Sequence, residues 1–221
     1  MKIAVLIITI LFTSYFSPAQ LIPAEKSLKK EDIVNKIDSI IEIYSYIDNL
    51  PDSFKIQTYF AISHYPELVN TKIIFREKKI RTTMATRPRF DFIFKKRNKR
   101  TYIIYINNSS KKINGAIISE VPFNAQVGVI GHEFAHILDF SNKNGIRILG
   151  NGIGYLFKKF KIKLEYQTDS TTIAHGLGWQ VYDFSDYILN RAEIPEKYIN
   201  YKKKIYMSPN EIKKIILKLE K

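Results

Sequence analysis

Two histidines four residues apart, with a glutamate beside the first, carry the strongest chemical signal in the chain: His132-Glu133-Phe134-Ala135-His136. The segment takes two of the four histidines in 221 residues. On a helix, residues four apart lie on one face, so both imidazoles can reach one metal ion while Glu133 projects beside them. Zinc hydrolysis uses this arrangement: two neutral nitrogen ligands hold the ion and an adjacent carboxylate takes a proton from water. The helix is expected independently of the motif. Val127, Ile130, Phe134, Ile137 and Leu138 recur at helical spacing, and Asn124 is a suitable N-cap. Gly128 and Gly131 weaken the helix and therefore point to close packing on their side.

A catalytic zinc takes three protein ligands and keeps a position for water, so the motif is one ligand short. Asp139, Glu165, Asp169 and His175 are the candidates. His175 lies ten positions beyond Glu165, about 15 Å along a continuous helix. If Gly176 ends that helix and the chain turns back, His175 becomes a candidate transition-state stabiliser. His64, just before Tyr65-Pro66, reads as a helix-terminal histidine.

With these residues in place, the chain resembles the gluzincin, thermolysin-like branch of the zincin metallopeptidases. In that class a second helix supplies a glutamate ligand, followed four residues later by an aspartate bonded to a ligand histidine. Glu165-Tyr-Gln-Thr-Asp169 is similar at that spacing, and 28 residues separate His136 from Glu165, room for a return segment. The resemblance implies that His132, His136 and Glu165 hold one Zn2+, that Glu133 is the general base, and that Asp169 orients a histidine behind the ligands. Metzincins would place a glycine and a further histidine or aspartate where Asp139 and Asn142 stand, which disfavours that branch. Residues 122–133 and His175-Gly-Leu-Gly-Trp-Gln180 also resemble a small family of exported bacterial His-Glu-x-x-His proteins, a likeness that carries no substrate. Implied is a metallopeptidase acting on peptide or protein. A zinc-stabilised envelope binding module and a zinc amidase acting on a cell-wall polymer are the alternatives.

The elements that must position these residues follow from periodicity. Glu31 to Asp48 carries a helical stripe from Ile33 to Ile47, and Ser53 to Ser63 reads as a second helix. Thr71–Arg76, Lys79–Ala85, Phe90–Phe94 and Arg100–Asn107 read as four strands, with Lys95 to Arg100 as a basic hairpin tip. Ile113 to Val121 is ambiguous. Later helices are expected over Ile146–Phe160, Lys163–Ala174, Trp179–Leu189 and Pro209–Leu219, the last with Ser208, Pro209 and Glu211 forming a capping box. The expected fold class is α+β, zincin-like by resemblance: a small, mostly antiparallel sheet packed on the motif helix, with further helices before and after.

Composition sets the remaining bounds. With 45% hydrophobic and 25% charged residues the chain is ordinary globular material for one domain, 20–221. Residues 1–19 read as a signal peptide: Lys2, an apolar run from Ile3 to Phe16, then small residues through Ala19. A chain with no cysteine forms no disulfides, and export then points to a periplasmic or secreted protein. The net charge of +14 favours contact with anionic envelope surfaces. No nucleic-acid module is recognisable among the lysines, and export argues against nucleic acid as a partner. The sequence is silent on oligomeric state.

Overall fold

The computed structural model describes residues 26–107 and 116–220; the expected signal peptide, 1–19, lies outside them. The architecture is a mixed α and β one with a four-stranded sheet. The first helices among the described residues are two short ones, α1 (Lys30–Val34) and α2 (Ile37–Ile43), where the sequence predicts one. Ile33, Ile37, Ile40 and Tyr44 are all buried, so the apolar stripe runs on across the break at residues 35–36. Periodicity reports the buried face and is blind to such a break. Ile47 leaves the helix altogether, forming with Asp48 the short strand β1 (Ile47–Asp48).

Helix α3 (Lys55–Ser63) follows, then β2 (Lys72–Glu77), β3 (Met84–Pro88) and β4 (Thr101–Ile106). The order in the sheet is β1-β2-β4-β3. β1 pairs with β2 and β2 with β4 in parallel, while β3 and β4 are antiparallel, running from Met84↔Ile106 to Pro88↔Tyr102. The expectation of a mostly antiparallel sheet is therefore corrected. All six residues of β4 are buried, and a strand covered on both faces belongs inside a sheet, so β4 separates β2 from β3. Phe90–Phe94, expected as a strand, is a 3-10 turn. Pro88 lacks the N–H to prolong the ladder, and Arg89 ties itself to the Asp91 carboxylate, with Nε to Oδ1 at 3.0 Å.

The second half is helical: α4 (Phe123–Ser141), α5 (Gly145–Gly154), α6 (Lys158–Thr172), α7 (Gly178–Asp186), α8 (Glu196–Ile205) and α9 (Pro209–Leu219). The residues expected as one helix over 146–160 divide between α5 and α6. Helix α8 has no counterpart among the sequence expectations. α6 widens into a π-turn over Ile173–Leu177 and breaks at Gly176, whose φ of 84° is the left-handed conformation glycine adopts freely. The capping box of α9 forms as expected. Asn124 lies inside α4 and is not its N-cap; its side-chain oxygen accepts from Leu28 N at 3.2 Å and from Gln180 Nε2 at 3.1 Å.

Helix α4 is the axis of the packing, buried against α3, β3, α6 and α7. Its glycines let α7 approach. A Cβ on Gly128 would stand 2.1 Å from the Gln180 carbonyl oxygen, and one on Gly131 would meet Leu177 at 2.5 Å. Gly131 also accepts a hydrogen bond from the Tyr65 hydroxyl at 2.7 Å. Gly128→Ala should lower stability by about 2–3 kcal/mol, because backbone stands in the way and cannot yield like a side-chain tip. Gly150→Ala, where nothing lies within 4 Å, should raise it by roughly 0.5–1 kcal/mol. Denaturant unfolding of the two variants checks both signs.

His64 closes α3 and is buried, donating from Nδ1 to the His175 carbonyl oxygen at 2.7 Å while Nε2 has no partner. Burial lowers its pKa to about 4, and the nearby His175 adds to this against the hydrogen bond. Between pH 6.5 and 4 the unfolded chain binds a proton here that the folded chain does not, so stability rises with pH across that window. The group's contribution is roughly 3 kcal/mol. It should appear as a steeper loss of stability on acidification from pH 7 to 4.5 in the native chain than in His64→Asn, read by urea denaturation.

Candidate metal centre

Helices α4 and α6 pack against each other and bring His132, His136, Glu165 and Asp169 together between them. His132 and His136 come from the middle of α4, one turn apart, with ring centroids 4.8 Å from each other and nearly perpendicular. Glu165 and Asp169 come from successive turns of α6. One donor atom each from His132, His136 and Glu165 lies within 4.8 Å of the others, forming a group able to hold a metal ion. Glu165 Oε2 is 3.2 Å from His132 Nε2 and 3.6 Å from His136 Nε2. Ligands bound tetrahedrally at 2.0–2.1 Å stand about 3.3 Å apart, close to the two donor distances at Glu165.

The groups behind the donors fix their chemistry. His132 Nδ1 donates to Asp169 Oδ1 at 2.8 Å. The Thr168 hydroxyl gives its proton to the Leu164 carbonyl at 2.9 Å, so it can only accept from His136 Nδ1 at 3.3 Å. Both imidazoles therefore carry Nδ1–H and turn Nε2 to the common point, where that of His132 lies within hydrogen-bond reach of Glu165 Oε2 and a bound metal ion would displace its proton. Glu165 Oε1 accepts from the Tyr155 hydroxyl at 2.5 Å, leaving Oε2 for the same point. Asp169 Oδ2 accepts from Met207 N at 3.4 Å, which joins the segment between α8 and α9 to the site. Thr168, Tyr155 and Met207 belong to the centre although the sequence reading passed over them. The only signal for Thr168 was its helical position one turn beyond Leu164, three residues after Glu165.

Electrostatics agree with a site built for a cation. Burial works against the Glu165 carboxylate, but hydrogen bonds from His132 and His136 outweigh it and hold it well below the usual range. Burial likewise opposes charge on His132, yet Asp169 and Glu165 raise its pKa to about 10. The acidic pair thus draws positive charge to this point. Burial and the Glu165 carboxylate push the Tyr155 hydroxyl far up, so it remains a donor. Lys202, buried on α8, is lowered to about 8 by desolvation in spite of Glu165, Asp169 and Glu133, and its Nζ sits 3.5 Å over the Tyr206 ring.

Glu133 is 4% exposed, and its Oε2 has no hydrogen-bond partner. It lines a cleft of about 710 Å³ together with His132, His136, Glu165, Tyr206 and all five residues of β3. Asp139 is excluded as a ligand, being paired with Lys143 at 2.6 Å. His175 is taken elsewhere: its ring stacks on Tyr65 at 4.5 Å, Nδ1 donates to the Thr171 carbonyl at 2.8 Å, and Nε2 faces Glu67 at 3.4 Å. The role of transition-state stabiliser considered for it has no support from this placement. Compared with protein-family models, curated proteins and solved structures, the chain matches none.

Titration with zinc in competition with a chromophoric chelator should give one tight site per chain. Glu165→Ala should abolish it, and Asp169→Asn should weaken it about 10–100-fold by releasing the His132 ring. Unchanged affinity in both variants would place the metal elsewhere.

Proposed function

We propose that this chain is a zinc-dependent hydrolase of the zincin type, exported from the cell, whose substrates are peptides or proteins. One observation carries the reading: Glu133, buried with an unpartnered carboxylate oxygen, lines the same cleft as the three converging donors His132, His136 and Glu165. Leaving a buried carboxylate oxygen unsatisfied costs about 1–3 kcal/mol or more. A water bound in the cleft would satisfy it, and that water is the one to be activated.

The donor set suits zinc, with two imidazole nitrogens and one carboxylate and room left for water. When bound there, zinc supplies Lewis acidity, making water acidic near neutral pH and polarising a substrate carbonyl. Glu133 takes the proton from the water and passes it to the leaving amine. Asp169 and Thr168 keep both imidazoles in the Nδ1–H tautomer, so Nε2 stays available. Tyr155 holds the Glu165 carboxylate in place by its hydrogen bond. Tyr206, whose hydroxyl is kept protonated by burial and by Glu165, lines the cleft near His132 and is a donor suited to a developing oxyanion.

The cleft also supports a peptide as substrate. β3 ends the four-stranded sheet, pairing with β4 on one side only among the described strands. An extended chain lying in the cleft beside β3 would gain main-chain hydrogen bonds, and its side chains would alternate between the cleft wall and solvent.

Glu133→Gln should keep zinc at native stoichiometry and lower hydrolysis of a peptide library by at least about a thousandfold, a loss of roughly 4 kcal/mol of transition-state stabilisation. Turnover retained in that variant would overturn the mechanism. Activity of the native chain on cell-wall fragments alone would keep the mechanism and replace the substrate by an amide of that polymer.

A further inference from the structure

Helix α5 is amphipathic the wrong way round for a helix that serves only a core. Ile148 is buried, but Ile146, Leu149 and Ile153, at helical spacing on another face, are 80%, 45% and 64% exposed. The chain leaving α5 continues the pattern, with Leu156 83% and Phe157 65% exposed. The 3-10 turn over Phe90–Phe94 packs beside the start of α5, where a Cβ on Gly145 would stand 3.4 Å from Ile93 Cα. That turn presents Phe90 and Phe94 at 87% and 89% exposure. Two phenylalanines and a row of aliphatic side chains thus project together with no cover from the described residues.

The charge around them is one-sided. Between Asp139 and Glu165 the chain has six basic residues and no acidic one. Lys96, Arg97 and Lys99 follow the phenylalanine turn, and Lys158 and Lys159 follow Phe157, all exposed. The single carboxylate within the turn, Asp91, is held by Arg89 and Lys95. Side chains that project this far suit insertion into a yielding medium, and a basic rim around an apolar ridge matches the headgroup layer of an anionic bilayer. A second copy of the chain fits less well, because a two-fold contact would set each basic rim against its own image.

We propose that this ridge, formed by the Phe90–Phe94 turn, α5 and the residues just after α5, docks the protein on an anionic lipid bilayer. Phenylalanine and aliphatic side chains enter the interface, and Lys96, Arg97, Lys99, Lys158 and Lys159 lie at headgroup level. No helix among the described residues is long and apolar enough to cross a membrane, so docking is to one surface. Ile148, Leu149, Ile153 and Leu156 also line the cleft that holds the histidine pair. Docking then sets the cleft mouth at the bilayer and selects peptide segments close to the membrane. This last step rests on the hydrolase reading; the docking itself does not.

The test is cosedimentation of the chain from Gln20 to Lys221 with vesicles of phosphatidylcholine alone and with phosphatidylglycerol added, at low and high salt. The expected result is binding to the anionic vesicles, weakened by salt. It should fall at least about tenfold in Phe90→Ser/Phe94→Ser and again in Lys158→Glu/Lys159→Glu. The control Lys213→Glu/Lys214→Glu, on α9, should bind as the native chain does, and zinc content should be native in all variants. Absence of vesicle binding, or equal weakening by the α9 control, would overturn the proposal, the latter by reducing the effect to net charge. A dimer by light scattering that the serine variants dissolve, without vesicle binding, would assign the ridge to a second copy instead. If vesicle binding is absent and the serine variants lose turnover only on long peptides, the ridge belongs to the substrate groove. Loss of hydrolysis in Glu133→Gln with native vesicle binding separates failure of one reading from failure of the other.

Discussion

Burial of charge between α4 and α6 is the constraint on which the rest depends. His132, Glu133, Glu165 and Asp169 are each less than a tenth exposed, and an ionised group taken from water costs several kcal/mol unless it is paired. Each helix therefore needs the other in a single register, in which Asp169 meets His132, Thr168 meets His136 and Glu165 meets both Nε2 atoms. A shift of one helical position would leave carboxylates facing apolar side chains. The site and the packing of these two helices are the same set of interactions.

That requirement spreads outward through α4. Its other faces must accept β3, α3 and α7 at once, which is why the helix carries Gly128 and Gly131 where α7 and the π-turn come closest. The C-terminal part closes the arrangement: Met207 N donates to Asp169, Tyr206, just beyond α8, lies beside His132 with ring centroids 6.0 Å apart, and Lys202 of α8 sits over the Tyr206 ring. β4, buried along its full length, fixes β3 at the sheet edge beside the cleft. The strand order is therefore part of how the cleft obtains a strand along its wall that, among the described strands, pairs on one side only.

The outer surface follows a different rule. A basic chain with +14 formal charge can place lysine almost anywhere, but phenylalanine and isoleucine at four-fifths exposure or more are costly unless something covers them. Their collection next to the cleft, inside a basic rim, links the charge of the chain to the place where its chemistry would occur. Buried ionisable groups and exposed apolar groups invert the usual distribution, the first between α4 and α6 and the second on the Phe90–Phe94 turn and α5.

From sequence alone, the His132 to His136 helix, the Glu165 and Asp169 face of the next long helix, the glycine contacts of α4 and the capping box of α9 were legible, because each depends on spacing within one continuous helix. The break between α1 and α2 was hidden, since the buried stripe persists through it, and Phe90 to Phe94 looked like a strand because aromatic content does not distinguish a sheet face from an exposed turn. Strand order, the placement of β3 at the edge, the pairing of His175 with Tyr65 and Glu67, and the contributions of Tyr155, Thr168, Tyr206 and Met207 were decided by tertiary structure. Those contacts join residues whose spacing carries no period, so nothing local encodes them. They follow only when buried charge, β4 and the helix faces are satisfied together.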